Sequence, residues 1–428
     1  MSSKKNFSRL VATAAFSVML ATYAGVAPAR AACQDDTGAQ DSSLRAEMQQ
    51  ATDSYLSARQ AVEGFSGLSV YASLAGNGPW LHVTAGSSAM QDGQPICLDT
   101  PFEVGSITKS FTAVMILKLE AAGLLDIHDT LGRWLPQYPL WSSITIQQLL
   151  NMTAPTDDFL GSSALISAVA ADRYQTYTPE QLVSYAYPGG VEAPWQYINT
   201  NYILAGMIIS KVTGLSYEDA LRKLLLDPLQ LHQTWYGPEV PPAWLLAAMP
   251  AGYDWLLPKD SLYGTNVDTI NMSLYGAAGG IIASLPDIDR WVRDLFSGTL
   301  LPSKQQSELF AMVSQNSGQP IAVTTMSDPG GYSLGIAQQW FAFMAAPAWW
   351  YQGETWGYRV AWFRRPGDGL VVEIAINSAN GHDDIAGLYK SVIEVLEPQI
   401  IVDPGDDPST SVTAVLTQPD RSRTGSGD

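Results

Sequence analysis

The chain is poor in the residues that usually carry metal or redox chemistry. Its 428 residues include two cysteines and four histidines. His82, His128, His232 and His382 are scattered, with no paired-histidine helix motif and no carboxylate cluster beside them. The two cysteines fit no zinc spacing. Neither a metal site nor a cofactor is therefore expected. Basic residues are also scarce, 23 against 41 acidic ones, giving a formal charge of −18. Such a balance repels phosphate backbones and anionic membrane surfaces, which excludes nucleic acid as a partner. Beyond the first thirty or so residues no stretch approaches the roughly 20 uninterrupted apolar residues of a spanning helix. There is no G-x-S-x-G elbow, and no histidine stands in a suggestive context, which speaks against a Ser-His-Asp arrangement.

The first 31 residues read as an export signal. Lys4, Lys5 and Arg9 form a positive start, Leu10 to Val26 is apolar, and Ala29-Arg30-Ala31 offers small residues at a cleavage site. The rival reading is an uncleaved anchor. Arg30 stands where a lipobox before Cys33 would want an aliphatic residue, which argues against a lipoprotein. The expectation is a mature chain from near Ala32, secreted or periplasmic, with no stable membrane span. Removing the leader takes Arg30 and the three basic residues of its start, and no acidic ones, so the mature chain is more acidic still. In an oxidising compartment Cys33 and Cys97 read as one disulfide, against two separate buried thiols.

Along the rest of the chain the pattern is mixed. Ser43 to Val62 reads as a helix with a capped start. Leu68 to Ala75 and Trp80 to Ser87 read as strands joined by a turn at Gly76-Asn77-Gly78-Pro79. Ser106 to Ala122 reads as a helix stopped by Gly123. From Asp126 to about Gly298 the pattern is mainly helical, including Thr178 to Ala186, Tyr202 to Thr213, Tyr217 to Leu226 and Pro286 to Phe296. Strands return at Tyr332 to Phe341, Gly357 to Arg364 and Leu370 to Asn377, and a helix follows at Asp383 to Leu396. Strands and helices at both ends around a helical middle give an α/β (α+β) sheet domain with an all-α insertion. The expected hydrolase-sized domain is 32–402, with a sheet part at about 43–125 and 299–402 and a helical part at about 126–298. Residues 403–428 are polar, rich in Pro, Gly, Ser and Thr, and read as a disordered tail.

Three short segments carry candidate chemistry. In Gly105-Ser106-Ile107-Thr108-Lys109, a serine at a helix start has a lysine one turn on, so both side chains share a face. The helix dipole favours an alkoxide there, and burial of the lysine favours its neutral, basic form. Tyr197-Ile198-Asn199 supplies a phenol able to shuttle a proton and an amide able to bond the lysine or a substrate. Tyr351 to Tyr358 contains Gly353 on the edge of a strand, where a substrate backbone can pair. The backbone N–H groups of Ser106 and Glu354 are the candidate oxyanion hole. Taken singly, each has an ordinary reading as surface residues, core packing or a turn.

In order, S-x-x-K, Y-x-N and the glycine-bearing strand resemble the serine β-lactamase and penicillin-binding-protein superfamily. The likeness is to class C β-lactamases, D-Ala-D-Ala carboxypeptidases and the esterases that share their fold. Gly276-Ala277-Ala278-Gly279-Gly280-Ile281-Ile282-Ala283-Ser284 with Asp287, and Gln148 to Thr153, resemble two further family segments. The resemblance spans roughly residues 65 to 395. It implies an antiparallel β-sheet flanked by helices, with Ser106 acylated, Lys109 as its base or electrostatic partner and Tyr197 as the proton shuttle. Asn199, Tyr351, Gln352 and Gly353 would orient the substrate, a small molecule or peptide with an amide or ester bond.

Two departures bear on the substrate. Tyr351 and Gln352 stand where the family carries Lys or His and then Thr or Ser, so the cation that helps hold a carboxylate is missing. Arg359 is a candidate replacement, against its reading as a solvent-facing strand residue. Thr153-Ala154-Pro155 replaces the usual Thr-Ser-Gly. Trp349, Trp350, Tyr351 and Trp356 are candidates for an apolar acyl pocket, against simple core packing. The function these features imply is a serine hydrolase of carboxypeptidase or esterase kind. The alternatives are a class C-type β-lactamase and a non-catalytic cell-wall-binding or sensor member of the fold.

Overall fold

The computed structural model describes residues 33, 42–73, 80–237, 241–256, 262–268 and 270–400. The export signal, the 76–79 turn and the 403–428 tail lie outside the described residues.

Strands β1 (Gly67–Ser73), β2 (Trp80–Gly86), β3 (Met312–Ser314), β4 (Pro320–Ile321), β5 (Gly330–Tyr332), β6 (Ala337–Phe341), β7 (Ala346–Glu354), β8 (Arg359–Arg364) and β9 (Val371–Ile376) form one sheet. Among the described residues it is nine-stranded in the order β2-β1-β9-β8-β7-β6-β5-β3-β4, every pair antiparallel. Chain order therefore does not follow sheet order. The N-terminal hairpin closes on β9, and the register Leu68↔Ile376 ties the two ends of the chain together.

Helices cover both faces of the central strands. On one face α1 (Ser42–Glu63) and the C-terminal α5 (Ile385–Ile400) pack on Leu68, Val70, Ala361, Phe363, Val372 and Ile374. On the other, α2 (Thr108–Ala121) and α4 (Leu285–Phe296) meet Tyr71, Val360, Trp362, Val371 and Ala375. The central strands are buried on both sides, so they read as continuous apolar runs instead of alternating ones. Between α2 and α4 lies the helical part, with α3 (Thr200–Thr213) at its centre.

Helix α2 is buried nearly all round, as expected of a helix apolar on every face. Phe111, Val114, Met115, Ile116 and Leu117 are fully buried, each contributing about 1.5–3 kcal/mol. Phe111 stacks on Trp291 of α4 at 3.9 Å between ring centroids, and the Trp291 indole donates to Ser110 Oγ. The helix stops at Gly123, whose φ of +70° is the left-handed cap glycine accepts without strain.

Some expectations need correction. Tyr332 to Phe341 is not one strand. It is β5 and β6 around a tight turn, in which Gly335 has φ +82° and lies against the Lys109 carbonyl. A side chain at Gly335 would collide with that carbonyl, so the break in the strand is tied to the position of α2. Arg359 does not face solvent. It is fully buried on β8, paired with Glu63 at 2.8 Å and Asp383 at 2.9 Å. The α1/α5 layer covers the face on which a one-sided strand would have met water. Cys33 and Cys97 form a disulfide, with Cα atoms 5.2 Å apart.

Candidate active site

Ser106 lies in a 3₁₀ turn, Gly105–Ile107, that leads directly into α2. Two supports fix this turn. Phe102–Glu103 pairs with Ile281–Ala283, and Ile281 accepts from Val104 and donates to Thr108 Oγ1. On the other side β7 runs past it: Gly105, at φ +49°, abuts the Glu354 backbone, and Gly353 abuts Val104 and Ser106. Both positions admit only glycine, because any Cβ there would overlap backbone.

The Lys109 amine is buried and sits 2.9 Å from Ser106 Oγ, 2.8 Å from Asn199 Oδ1 and 2.9 Å from the Ala278 carbonyl. Three acceptors satisfy an ammonium. A neutral amine, with its two hydrogens on Asn199 and Ala278, turns its lone pair to the serine. Burial lowers the Lys109 pKa to about 7, opposed by the charge of Asp158. Asp158 accepts from Asn199 Nδ2 at 2.9 Å, and burial raises its pKa. Both ends of the Asn199 amide are thus engaged by protein groups.

Tyr197 hydrogen-bonds Tyr351, and its ring lies under the Lys109 amine, 4.8 Å from centroid to nitrogen. Burial raises its pKa to about 12, so near neutrality it is a phenol. The Tyr351 hydroxyl lies 3.2 Å from that of Tyr197 and 2.6 Å from that of Tyr332. A phenol pair thus occupies the place where the family resemblance puts a cation.

The β7 edge provides donors. Thr355 N–H pairs with the Tyr358 carbonyl of the strand turn, so by alternation the Glu354 N–H points away from β8. Strand β6 pairs with β7 only as far as Trp350, leaving the Glu354 N–H to face the Ser106 turn. Ser106 and Glu354 can therefore present two N–H groups to one developing oxyanion. Burial raises the Glu354 carboxyl pKa to about 7, opposed by Arg359.

Ser106, Lys109, Tyr197, Asn199, Tyr351, Gly353 and the Glu354 backbone come together. Gln352 does not join them: its amide donates to Asp383 at 2.6 Å, on the α5 side of the sheet, because neighbouring strand residues face opposite ways. Nor do the tryptophans form one pocket. Trp349 packs on Phe296 and Phe310, whereas Trp350 stacks on Phe363. Asp158 and Tyr332 belong to the site but carry no sequence signal, being an isolated loop acid and an ordinary strand tyrosine. A separate cavity of about 680 Å³, lined by Ile203, Gly206 and Met207 of α3 and by Tyr217 and Tyr236, does not include Ser106.

Fold and site together place the molecule among β-lactamase/transpeptidase-like proteins. It superposes on a D-stereospecific amidohydrolase from Streptomyces sp. with a TM-score of 0.67 and 28% identity, covering 82% of this chain and 97% of that one. With the D-amino acid amidase from Ochrobactrum anthropi SV3 the TM-score is 0.70 at 24% identity, over 84% and 99% of the two chains, a likeness of fold. The chain belongs to the Beta-lactamase family, whose model matches residues 53–397. Penicillin-binding protein 4* of Bacillus subtilis (strain 168) is 30% identical over 253 residues, 56% of this chain and 54% of that protein. The chain spans about half the length of the curated relatives it matches.

Proposed function

We propose that this is an exported serine hydrolase that works through an acyl-enzyme on Ser106, cleaving amides or esters whose acyl part is a D-amino acid or a short peptide ending in one. The observation that carries the reading is the 2.9 Å contact between Ser106 Oγ and a buried amine whose pKa lies near 7. About half of such a group is neutral at pH 7, whereas an ordinary surface lysine is almost wholly charged.

Ser106 Oγ attacks the substrate carbonyl carbon, and Lys109 and Tyr197 manage its proton. The oxyanion sits between the Ser106 and Glu354 N–H groups. The C–N or C–O bond breaks as the leaving group takes a proton, and water repeats the sequence to release the acid. Asn199 holds Lys109 in line, and Gly353 lets the substrate lie along β7.

Tyr351 supports a substrate without a free carboxylate next to the scissile bond, because an uncharged phenol replaces the cation that would pair with it. The likeness to the Streptomyces amidohydrolase supports D-configuration. The leader supports export to the periplasm or the medium.

The test is to compare hydrolysis of D-phenylalanine amide, an N-acyl-D-Ala-D-Ala peptide and benzylpenicillin by the protein and by Ser106→Ala. The D-amide should be cleaved, at least about a hundredfold faster than penicillin, and only when Ser106 is present. Fastest turnover of penicillin would instead support the class C β-lactamase reading. Binding without turnover of any of the three would support the non-catalytic one.

A further inference from the structure

We infer that the cavity of about 680 Å³ behind Lys109 is a second binding site, for an uncharged and mainly apolar small molecule whose binding is felt at Lys109. Binding there needs nothing of the function proposed above, whereas the effect on turnover rests on it.

Two walls of the cavity belong to the elements that hold the Lys109 amine. One is α3, through Ile203, Gly206 and Met207. Asn199 caps that helix, its carbonyl accepts from the Ile203 N–H at 3.3 Å, and its Oδ1 meets Lys109 at 2.8 Å. The other is the single helical turn Gly276–Gly279, through Gly276 and Ala277. The next residue, Ala278, gives Lys109 its carbonyl at 2.9 Å. Tyr217 also lines the cavity. Its hydroxyl lies 2.6 Å from Thr112 Oγ1, which donates to the Ala277 carbonyl at 2.8 Å. Where the walls meet they are tight: a Cβ on Gly206 would lie 2.5 Å from that of Ala277. A molecule that moves either wall therefore changes the separation of Asn199 Oδ1 and the Ala278 carbonyl. Those two acceptors aim Lys109 at Ser106, and small misplacements of a reacting group are costly.

Size and lining define the occupant. The volume lies within the roughly 300–1,000 Å³ of small-molecule sites. Apolar surface predominates, from Leu135, Leu182, Ile203 and Met207 and from the ring of Trp134. Glu180, Glu218 and Lys211 also line the cavity, and Glu218 is engaged by Arg222 at 3.6 Å. Glu180 and Lys211 are left to balance each other, so no excess of one sign draws an ion. The Tyr236 hydroxyl stands 3.9 Å from where a Cβ on Gly276 would be and makes no hydrogen bond to the described residues. It is a donor for one acceptor on the occupant. An aromatic or branched molecule with one carbonyl and no net charge fits these terms. Ser106, Tyr197 and Tyr351 do not line the cavity, so it is distinct from the substrate cleft.

The probe is prodan, an uncharged naphthyl ketone whose emission brightens and moves to the blue in apolar surroundings. It is titrated into Ser106→Ala, so that no turnover intervenes. One molecule per chain should bind, with a Kd on the order of 100 μM or tighter for a ligand of that size. Ser210 lines the cavity from the last turn of α3, and Ser210→Trp should weaken binding at least about tenfold by filling it. Tyr236→Phe should weaken it about fivefold by removing the donor. In the active protein, saturating prodan should lower kcat for D-phenylalanine amide at least about fivefold with KM within about twofold. Ser210→Trp should not respond to the same concentration. No saturable binding, or binding that both variants leave unchanged, would overturn the site. Displacement of prodan by D-phenylalanine amide would put it in the substrate cleft and overturn the site equally. Binding with kcat unchanged would overturn the action on Lys109. If the protein cleaves no amide or ester, the proposed function fails, and the titration of Ser106→Ala still decides the site.

Discussion

Gly353 passes Val104 so closely that a Cβ on it would lie 1.7 Å from the Val104 carbonyl oxygen and 2.7 Å from the Ser106 nitrogen. The Ser106 turn and β7 are therefore in backbone contact, and the spacing of the two proposed oxyanion donors depends on that contact. In Gly353→Ala the strand must move off the turn. A displacement of about 1 Å at a reacting centre costs on the order of a hundredfold in rate. Steady-state kinetics should show that loss in kcat, while circular dichroism shows the fold retained. Wild-type kinetics in Gly353→Ala would remove Ser106 and Glu354 as the oxyanion pair.

The pH dependence follows from Lys109. Its pKa is lowered to about 7 by burial, and in the proposed mechanism the neutral form is the base. Below pH 7, kcat/KM should fall about tenfold per unit as the amine is protonated, and above it the rate should level off. Lys109→Arg keeps a cation but cannot deprotonate in this range. It should lose about a thousandfold in kcat/KM on the plateau above pH 7 and lose the fall below it. Retained activity in that variant would mean the cation, not the base, is what Ser106 needs.

How far the sequence discloses this site depends on where each partner comes from. Ser106 and Lys109 are legible because one helix turn fixes their separation and the apolar run after them announces burial. Tyr197 is legible only through its order relative to the other two motifs. Tyr332 is not, because its partner Tyr351 is two strands away across β6 and nothing local marks the contact. Gln352 is misplaced by reading it together with its neighbours, since alternation along β7 sends it to the opposite face. Arg359 is misread because a strand residue is taken to have a wet side, and the sheet's second helical layer is assembled from the two ends of the chain.

That second layer makes its own prediction. Arg359 pairs with both Glu63 and Asp383, with no side-chain exposure of its own or of Glu63. Arg359→Leu leaves the buried Glu63 carboxylate with Arg59 at 2.7 Å and Tyr55 at 2.8 Å but without its fully buried cation, and should cost about 1–3 kcal/mol in denaturant unfolding. Arg359→Leu combined with Glu63→Gln should recover part of that loss. If the single variant is as stable as the parent, the pair is not holding α1 to the sheet.

The claim at the centre is that Ser106 carries the acyl group. The direct measurement is the mass of the protein and of its peptides after acid quench during turnover of a D-amino-acid ester, with Ser106→Ala alongside. The expected result is one adduct of the acyl mass on the peptide containing Ser106, absent from the variant, which is also inactive. An adduct on another residue, or turnover that survives in Ser106→Ala, would contradict it.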